Sequence, residues 1–487
     1  MTLGRPQWYA GTKKWIWFFY QGARHLLSAI HQNADHVFPA QAGQPARPEI
    51  FGIPFQGQTI IYAPLKRLAF TGNTALAGLV LDMAEGRVRS APSLSTEQAI
   101  DFINKTNMLA PDPPLSASTE STVYRPGCAT LFMTNRCNLR CIYCYADAGK
   151  EKPVNMPLGL ALQAVELVHE NAVGRGLASF EIGFHGGGEP TLNWKVLKAV
   201  VAAAEKKSLK AAITMSSNGC YTAEKLAFIQ DHFTGLSLSF DGPPEIQNRQ
   251  RPQKDGSASF RQVMRTIAAF DRRNFNYGIR MTIVPATLSQ MPQAVEFLGS
   301  HTGVKQIQVE PAFPRGRGKA VAVRAKEGDA FVRSFKQAYE IAAARGVSFF
   351  YSGARLEGLT QRFCTAPHEA LVLLPTGEVS ACFEVHNLKH PLAPSLIIGK
   401  LGKSGVELRA QRWQCIMARQ VDAIPYCRDC FCKYHCAGDC LGKTFDAKNT
   451  AGFRPSVRCR INRELLSYLL AKKVAAQAGL WLGTAIG

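Results

Sequence analysis

The sequence predicts an α/β protein: a partial (β/α)6 TIM-like barrel with a small N-terminal α+β unit and a C-terminal cysteine-rich domain. Short apolar runs alternate with amphipathic helical stretches over residues 124–345, which is typical of parallel β–α repeats. Residues 48–110 instead show short β-prone runs followed by two helical patterns. Beyond residue 346 the alternation stops and closely spaced cysteines appear, as in a domain organised by metal.

The N-terminal part divides into three segments. Residues 1–47 are irregular, basic and aromatic, and they lack the small-residue cleavage site of a signal peptide. In the unit at 48–110, β-prone runs occupy 59–62 and 68–70. A helix is predicted over 73–85, and a second helix is predicted to start with Ser95 as N-cap and to end near Leu109. Residues 111–123 are rich in Pro and Ser and are predicted to form a linker.

The barrel region contains six predicted strands, each followed by a helical or loop segment. Functional loops should lie at the carboxyl ends of these strands. Residues 346–470 are assigned to the cysteine-rich domain and residues 471–487 to a tail. The six strands are 130–133, 180–184, 212–215, 236–240, 279–284 and 306–309.

Composition and charge exclude several function classes. Hydrophobic residues make up 46% and charged residues 19%, which is ordinary for a globular protein. No apolar run reaches the roughly 18 residues that a membrane span needs, so no span is expected. The formal net charge is +21, but the Lys and Arg residues are scattered and no nucleic-acid module accompanies them. We therefore expect no nucleic-acid partner. An acidic peptide substrate is one explanation of the excess positive charge.

The distribution of the fourteen cysteines indicates metal ligation. The first 127 residues contain none, whereas disulfide scaffolds are usually short and stapled throughout. Tight cysteine groups in such a chain are typical of metal sites in a reducing compartment, so a cytoplasmic location is expected.

Cys137, Cys141 and Cys144 form a C-x3-C-x2-C group directly after the first barrel strand. Three thiolates at this spacing can surround one face of a four-iron, four-sulfur cluster. Because such a cluster takes four ligands, one iron would remain open to a small molecule. A zinc site is the alternative, although zinc sites more often show paired C-x2-C knuckles.

These residues resemble the signature of the radical S-adenosylmethionine (SAM) superfamily. The resemblance implies a 4Fe-4S cluster whose open iron binds SAM and passes it an electron, producing a 5′-deoxyadenosyl radical. It also implies roles in SAM binding for residues after the successive strands. They are Tyr143 against the adenine, the GGEP-like Gly187, Gly188, Glu189 and Pro190, the TNG-like Ser217 and Asn218, the S-x-D-G-like Ser239 and Asp241, and Arg251 for the SAM carboxylate.

The later cysteines resemble the SPASM extension of that superfamily. Twelve residues separate Cys364 from Gly377, four more precede Cys382, and a C-x2-C-x5-C-x3-C run and a final cysteine follow. The resemblance implies two auxiliary 4Fe-4S clusters. Their expected ligands are Cys364, Cys382 and Cys440 for the first cluster, and Cys427, Cys430, Cys436 and Cys459 for the second.

Some cysteines are left without a clear assignment. The first auxiliary cluster has three expected ligands, so it either keeps an open site or borrows Cys432 or Cys415. A zinc ribbon could use Cys427 and Cys430 but would leave the other five positions of the pattern unexplained. Buried apolar positions are expected for Cys128 and Cys220.

SPASM enzymes modify peptides and proteins, and two features here bear on the substrate. Sulfatase-maturing members typically carry Asp after the second SPASM cysteine, where this chain has Phe383 and then Glu384; phenylalanine cannot act as a base. The unit at 48–110 resembles a PqqD-like peptide-recognition domain, which takes a leader peptide as an added strand.

The resemblance therefore predicts a maturase acting on a precursor peptide or protein substrate, with an electron donor such as ferredoxin or flavodoxin. A cross-link, a thioether or another C–H functionalisation is the expected product, and no catalytic base is identified. Three alternatives remain: a sulfatase-maturase-like enzyme, a radical SAM oxidoreductase of small molecules, and a non-catalytic iron–sulfur carrier or nucleic-acid-binding sensor. The last would need no SAM site.

Overall fold

The structure, a computed structural model, describes residues 48–87, 94–115, 123–446, 452–477 and 479–482. The interpretation of residues 1–47 lies outside these ranges, as do most of the linker at 111–123 and the end of the tail. Within the described ranges, no helix combines the length and apolar character that a membrane crossing requires.

The N-terminal unit is a three-stranded antiparallel meander followed by two helices; the sequence pattern predicts the second and third of these strands and both helices. The first two strands meet in a tight turn at Gln56 and Gly57, whose φ angles of 47° and 78° suit a two-residue hairpin. The elements are β1 (Phe51–Phe55), β2 (Gln58–Ala63), β3 (Leu68–Gly72), α1 (Thr74–Ala84) and α2 (Leu94–Lys105).

The two helices start differently from each other. Asn73 caps α1, because its side-chain oxygen accepts a hydrogen bond from the Leu76 N–H at 2.8 Å. The prediction that Ser95 is an N-cap was wrong: α2 already begins at Leu94, so Ser95 lies in the first helical turn.

The barrel region forms a parallel sheet whose strands follow one another in chain order. The six predicted strands are confirmed, and a seventh parallel strand lies just beyond the expected boundary at 345. The strands are β4 (Cys128–Phe132), β5 (Ser179–His185), β6 (Lys210–Ser217), β7 (Gly235–Ser239), β8 (Tyr277–Ile283), β9 (Gln306–Pro311) and β10 (Ser348–Tyr351). The helices between them are α3 (Leu158–Gly174), α4 (Trp194–Glu205), α5 (Ala223–His232), α6 (Pro244–Gln250), α7 (Phe260–Arg272), α8 (Met291–His301) and α9 (Gly328–Ala344).

Apolar periodicity fixes how helices and strands face each other. In α7 the buried residues Val263, Thr266, Ile267 and Phe270 recur at helical spacing and form one stripe. In β8 burial alternates instead, with the intervening residues turned to the barrel interior. Parallel strands are usually apolar on both faces; in β8 the alternation instead places the polar residue Arg280 in the lining of the barrel cavity.

The cysteine-rich region continues the barrel sheet. Its first strand, β11, pairs in parallel with β4, so the sheet runs outward from the barrel instead of closing on β10. The remaining elements are α10 (Ala366–Glu369), β11 (Ala370–Leu373), β12 (Glu378–Ser380), α11 (Ala393–Leu396), β13 (Ile397–Gly402), β14 (Gly405–Leu408), α12 (Ala410–Met417), α13 (Lys433–Cys436), α14 (Leu441–Thr444), α15 (Val457–Ala476) and β15 (Leu480–Leu482).

The N-terminal unit is built onto this cysteine-rich region. The short strand β15 adds to the free edge of β3. Helix α13 packs on the sheet, where Tyr62 and His435 share a hydrogen bond through the phenol oxygen and Nε2. The ammonium group of Lys433 pairs with Glu49. The unit therefore shares its core with α13 rather than standing apart from it.

A buried ion network joins the barrel to the cysteine-rich region. Arg458 on α15 is 1% exposed, and its Nε lies 2.7 Å from a carboxylate oxygen of Asp439. Its Nη1 lies 2.9 Å from a carboxylate oxygen of Glu310 on β9. Burial alone would raise the pKa of both carboxyl groups, but Arg458 holds the pKa of each below its usual value.

Replacing Arg458 by Met should destabilise the fold by about 3–5 kcal/mol, because it leaves two buried carboxylates without their shared cation. The measurement is urea unfolding of the anaerobically purified protein. Carboxyl groups with depressed pKa stabilise the fold above their unfolded values, near 4, and lose that contribution as the pH falls. The difference in the free energy of unfolding between wild type and variant should therefore shrink below about pH 4.

The matched control is Arg460→Met on the same helix. Arg460 is half exposed and pairs with Asp329 at the surface, where an ion pair contributes at most about 1 kcal/mol. Equal destabilisation by the two substitutions would contradict the role of Arg458 as a buried cation that holds two regions together.

Candidate functional site

The predicted cysteine triad lies in the loop that follows β4, against the loop that follows β5. The close approach occurs at Gly188, where a Cβ atom would lie 2.0 Å from the backbone oxygen of Arg136. The adjacent Glu189 N–H donates to that same oxygen at 2.7 Å. Only glycine fits at this position, so the GGEP-like element sets the path of the chain into Cys137.

The triad thiols lie near one another and near polar groups of later loops. The Asn218 side-chain nitrogen is 3.9 Å from the Cys137 sulfur, and an Arg251 nitrogen is 3.9 Å from the Cys141 sulfur. Burial, reinforced by the neighbouring thiols, raises the pKa of Cys137. Burial likewise raises the pKa of Cys141 to about 11. Without metal these two groups are protonated thiols, so binding iron would release protons.

Glu189 ties the loops after β5 and β6 together. Its carboxylate accepts hydrogen bonds from the Ser217 hydroxyl at 2.8 Å and from the Asn218 N–H at 3.0 Å. Thr191 donates to it through both hydroxyl and N–H. The residue is 2% exposed, and burial raises its pKa in spite of these bonds. Its partners are thus protein groups, and its contribution to SAM binding would be to position Asn218.

Asp241 is the centre of a second buried network, after β7. One carboxylate oxygen accepts from the Tyr143 hydroxyl, from Gln250 at 2.7 Å and from Arg251 Nε at 3.0 Å. The other accepts from the Thr282 N–H at 3.0 Å, on β8. The guanidinium carbon of Arg251 lies 5.1 Å from the centre of the Tyr143 ring. Asp241 therefore fixes the two side chains predicted to contact adenine and carboxylate, beside the triad.

Other predicted SAM-binding residues also lie at this edge of the sheet. Pro190 opens a short 3-10 helix directly after Glu189, and Ser239 is the last residue of β7. Gly187 packs on His386, since a Cβ there would lie 3.3 Å from that ring. The predicted residues are thus brought together by the carboxyl ends of β4 to β7.

The three cysteines predicted for the first auxiliary cluster line the cavity of the barrel. This cavity has a volume of about 630 Å³ and extends from the barrel interior to Cys364, Cys382 and Cys440. The oxygen Oε2 of Glu384 is also buried there, without a hydrogen-bond partner among the described residues. Phe383 faces His185 across the cavity, with ring centres 6.0 Å apart.

The cysteines predicted for the second auxiliary cluster surround a separate small pocket. Cys427, Cys430, Cys436 and Cys459 line it, together with Cys432. A hydrogen bond from the Cys432 thiol lowers the pKa of Cys430 to about 6. Cys432 thus lies in the second group, not in the first.

This arrangement leaves the first group with three cysteines. Cys415, the other residue suggested as its fourth ligand, is exposed on α12. Within the described ranges the structure places no further cysteine in the cavity. Of the two unassigned thiols, Cys220 is buried and Cys128 is half-buried, donating to the Glu369 backbone oxygen at 3.1 Å.

The donor sets fit clusters better than single ions. Among the described residues, no three His, Cys, Asp or Glu side chains surround one point closely enough to hold a single metal ion. A zinc ion needs its ligands around one centre, whereas each thiolate of a cubane binds a different iron. Groups made of thiols alone match the second requirement.

Sequence reasoning missed several charged groups of the cavity. Arg280 on β8 and Lys443 on α14 line it, and Glu310 reaches it from β9. The signal for Arg280 was present as a polar residue inside an alternating strand. The ion pairing of Glu310 with Arg458 had no counterpart in the sequence, because it depends on how α15 packs.

Replacing Gly188 by Ala should displace the triad loop, because the added methyl group has no space beside Arg136. We expect a loss of iron and sulfide at the triad and a destabilisation of about 1–3 kcal/mol. Gly159→Ala is the control, since a Cβ there meets nothing within 4 Å. Normal iron content in the Gly188 variant would contradict the assigned role.

The sequence of the chain is similar to that of several known proteins. Residues 131–298 match the Radical SAM superfamily. The sporulation killing factor maturation protein SkfB of Bacillus subtilis is 30% identical over 220 residues, which cover 45% of this chain and 48% of that protein. The cysteine-type anaerobic sulfatase-maturating enzyme of Clostridium perfringens is 26% identical over 171 residues, covering 33% and 45%. The chain thus spans about half the length of these two relatives.

Solved structures share the fold. One is anSMEcpe with bound AdoMet, with a TM-score of 0.60, 19% identity, and coverage of 72% of this chain and 96% of that one. Another is Streptococcus suis SuiB bound to S-adenosylmethionine, with a TM-score of 0.51, 12% identity, and coverage of 85% and 99%. The similarity to the radical SAM superfamily thus covers residues 131–298 of this chain.

Proposed function

We propose that this chain cleaves SAM at a 4Fe-4S cluster held by Cys137, Cys141 and Cys144, and modifies a ribosomally made peptide or protein. When bound, the cluster and SAM supply the electron and the carbon-centred radical that abstracts hydrogen from the substrate. The protein residues hold these groups, orient the substrate and exclude water. The bond formed is a cross-link, a thioether or another C–H functionalisation.

One observation carries the proposal: a single cavity connects the barrel interior beneath the SAM-binding loops with the first auxiliary cysteine group. Its volume of about 630 Å³ lies in the range of small-ligand sites. That volume accommodates a side chain and a short backbone segment, while the rest of a peptide remains outside. In this proposal a substrate carbon in the cavity would react with the radical formed at the loops above it, and the auxiliary cluster at the cavity would take up the second electron.

The residues around the triad have distinct tasks in this proposal. Asp241 holds Tyr143 and Arg251 for the adenine and the carboxylate of SAM. Glu189 holds the amide of Asn218 beside Cys137. These two buried carboxylates accept their hydrogen bonds from protein groups, so they fix the shape of the site before SAM binds.

The auxiliary cysteines would hold two further clusters. Cys364, Cys382 and Cys440 would bind the first, which leaves one iron open to the cavity. Cys427, Cys430, Cys436 and Cys459 would bind the second, near the N-terminal unit. Ferredoxin or flavodoxin is the expected class of electron donor, and the cytoplasm is the compartment that keeps these thiols reduced.

The relatives support a peptide substrate. SkfB is named as the maturation protein of a killing factor, and a structure of anSMEcpe contains both AdoMet and the Kp18Cys peptide. The small N-terminal sheet would recognise part of that peptide, in line with its PqqD-like sequence pattern.

Sulfatase maturation is the second candidate, favoured by the fold shared with anSMEcpe. Phe383 argues against it, because its ring packs towards His185 at the position where those enzymes typically carry Asp. A small-molecule substrate is less well supported, since both relatives cited above act in peptide or protein maturation by name.

The test is the reconstituted enzyme, purified anaerobically and incubated with SAM and dithionite. The wild type should form 5′-deoxyadenosine, measured by liquid chromatography, and Cys141→Ala should reduce this to background because the cluster loses a ligand. Cys128→Ala is the matched control: that thiol lies outside the triad and should leave SAM cleavage intact. Persisting cleavage in the Cys141 variant would refute the proposed site.

A further inference from the structure

Arg280 is a cation that lines the cavity of the barrel. It lies on β8 between the buried residues Ile279 and Met281 and lines the cavity next to Gly278. Its side chain is exposed within that cavity. Among the residues that the structure describes, none forms a hydrogen bond or an ion pair with its guanidinium group.

The other cations of the cavity differ from Arg280 in this respect. Arg362 donates to the Met417 backbone oxygen, Arg419 donates to the Thr444 hydroxyl, and Lys443 lies within 4 Å of two carboxylates. These groups are committed to the fold, so Arg280 is the cation of this wall that remains available to a ligand.

The charge of Arg280 helps to lower the pKa of Glu310, but the hydrogen bonds of that carboxylate come from other residues. Glu310 on the neighbouring strand is bound by Arg458 at 2.9 Å and by Gln308 at 3.0 Å. The Ser352 N–H completes its set of donors at 3.3 Å. His185, which faces the same space, cannot compensate the charge: burial, followed by the charge of Arg280, lowers its pKa to about 4. It is therefore neutral near pH 7.

The position of Arg280 along β8 places it close to the predicted SAM site. It lies two residues before Thr282, whose N–H donates to Asp241. At about 3.3 Å per residue, Arg280 is roughly 7 Å below the network that holds Tyr143 and Arg251. A group bound there would hold its neighbouring atoms directly beneath the SAM-binding loops.

The geometry points to Arg280 as the residue that binds a side-chain carboxylate of the substrate peptide and so selects an acidic residue beside the reactive carbon. This inference rests on the proposed function, because it assigns the anion to the peptide that enters the cavity. A guanidinium group binds a carboxylate through two parallel hydrogen bonds.

The test uses arrays of N-acetylated, C-amidated heptapeptides in matched pairs that differ only by Asp/Asn or Glu/Gln at the centre. Capped ends remove terminal charges, so any preference must come from the side chain. Binding of the labelled, anaerobically reconstituted enzyme with SAM should favour the acidic member by about tenfold. Arg280→Gln should reduce the ratio to about one, and Arg280→Lys should keep part of it.

Arg261→Gln is the control for the general positive charge of the protein, since Arg261 is exposed on α7 outside the cavity. It should leave the ratio unchanged. No acidic preference in the wild type, or an equal preference in Arg280→Gln, would overturn the inference. So would weakened SAM binding in Arg280→Gln, because Arg280 would then serve the SAM carboxylate instead.

SAM cleavage separates this inference from the proposed function. The wild type and Arg261→Gln should both form 5′-deoxyadenosine without peptide. If the wild type fails to cleave SAM, the proposed function fails; if cleavage is normal and the acidic preference is absent, only the role of Arg280 fails.

Discussion

The contact on which the rest of the structure depends is the buried ion network around Arg458. A barrel of seven parallel strands that does not close on itself exposes its interior. The pairing of β11 with β4 attaches the cysteine-rich region on one side, and Arg458 holds that region to β9 on the other through Asp439 and Glu310. Because both attachments exist, Cys364, Cys382 and Cys440 face the barrel interior and share one cavity with it.

The site above this cavity is organised by two buried carboxylates. Glu189 and Asp241 accept hydrogen bonds from side chains and backbone of neighbouring loops, so each holds residues from more than one strand. Such carboxylates are costly to bury unless fully bonded. Their hydrogen bonds explain why loops of different sequence meet around the triad in one arrangement.

Much of this could be predicted from the sequence, because parallel strands bring their carboxyl ends to one edge. That rule alone collects Cys137, Gly188, Asn218 and Asp241 in one place. The sequence could not show that Glu189 would bind protein donors, since its partners depend on distances between two loops. It missed the strand at Ser348–Tyr351 as part of the barrel, and it placed Ser95 at a cap instead of in a helical turn. The charge of Arg280 was visible, but its lack of a partner required the cavity.

The central claim is that the triad holds an iron–sulfur cluster at the SAM-binding loops and that the first auxiliary group holds another at the cavity beneath them. The most direct measurement is an anaerobic crystal structure of the reconstituted enzyme with SAM, with anomalous diffraction recorded at the iron edge. The account predicts iron at Cys137, Cys141 and Cys144, with SAM beside it, and iron at Cys364, Cys382 and Cys440 across the cavity. Zinc at either group, or a protein segment filling the space between them, would contradict it.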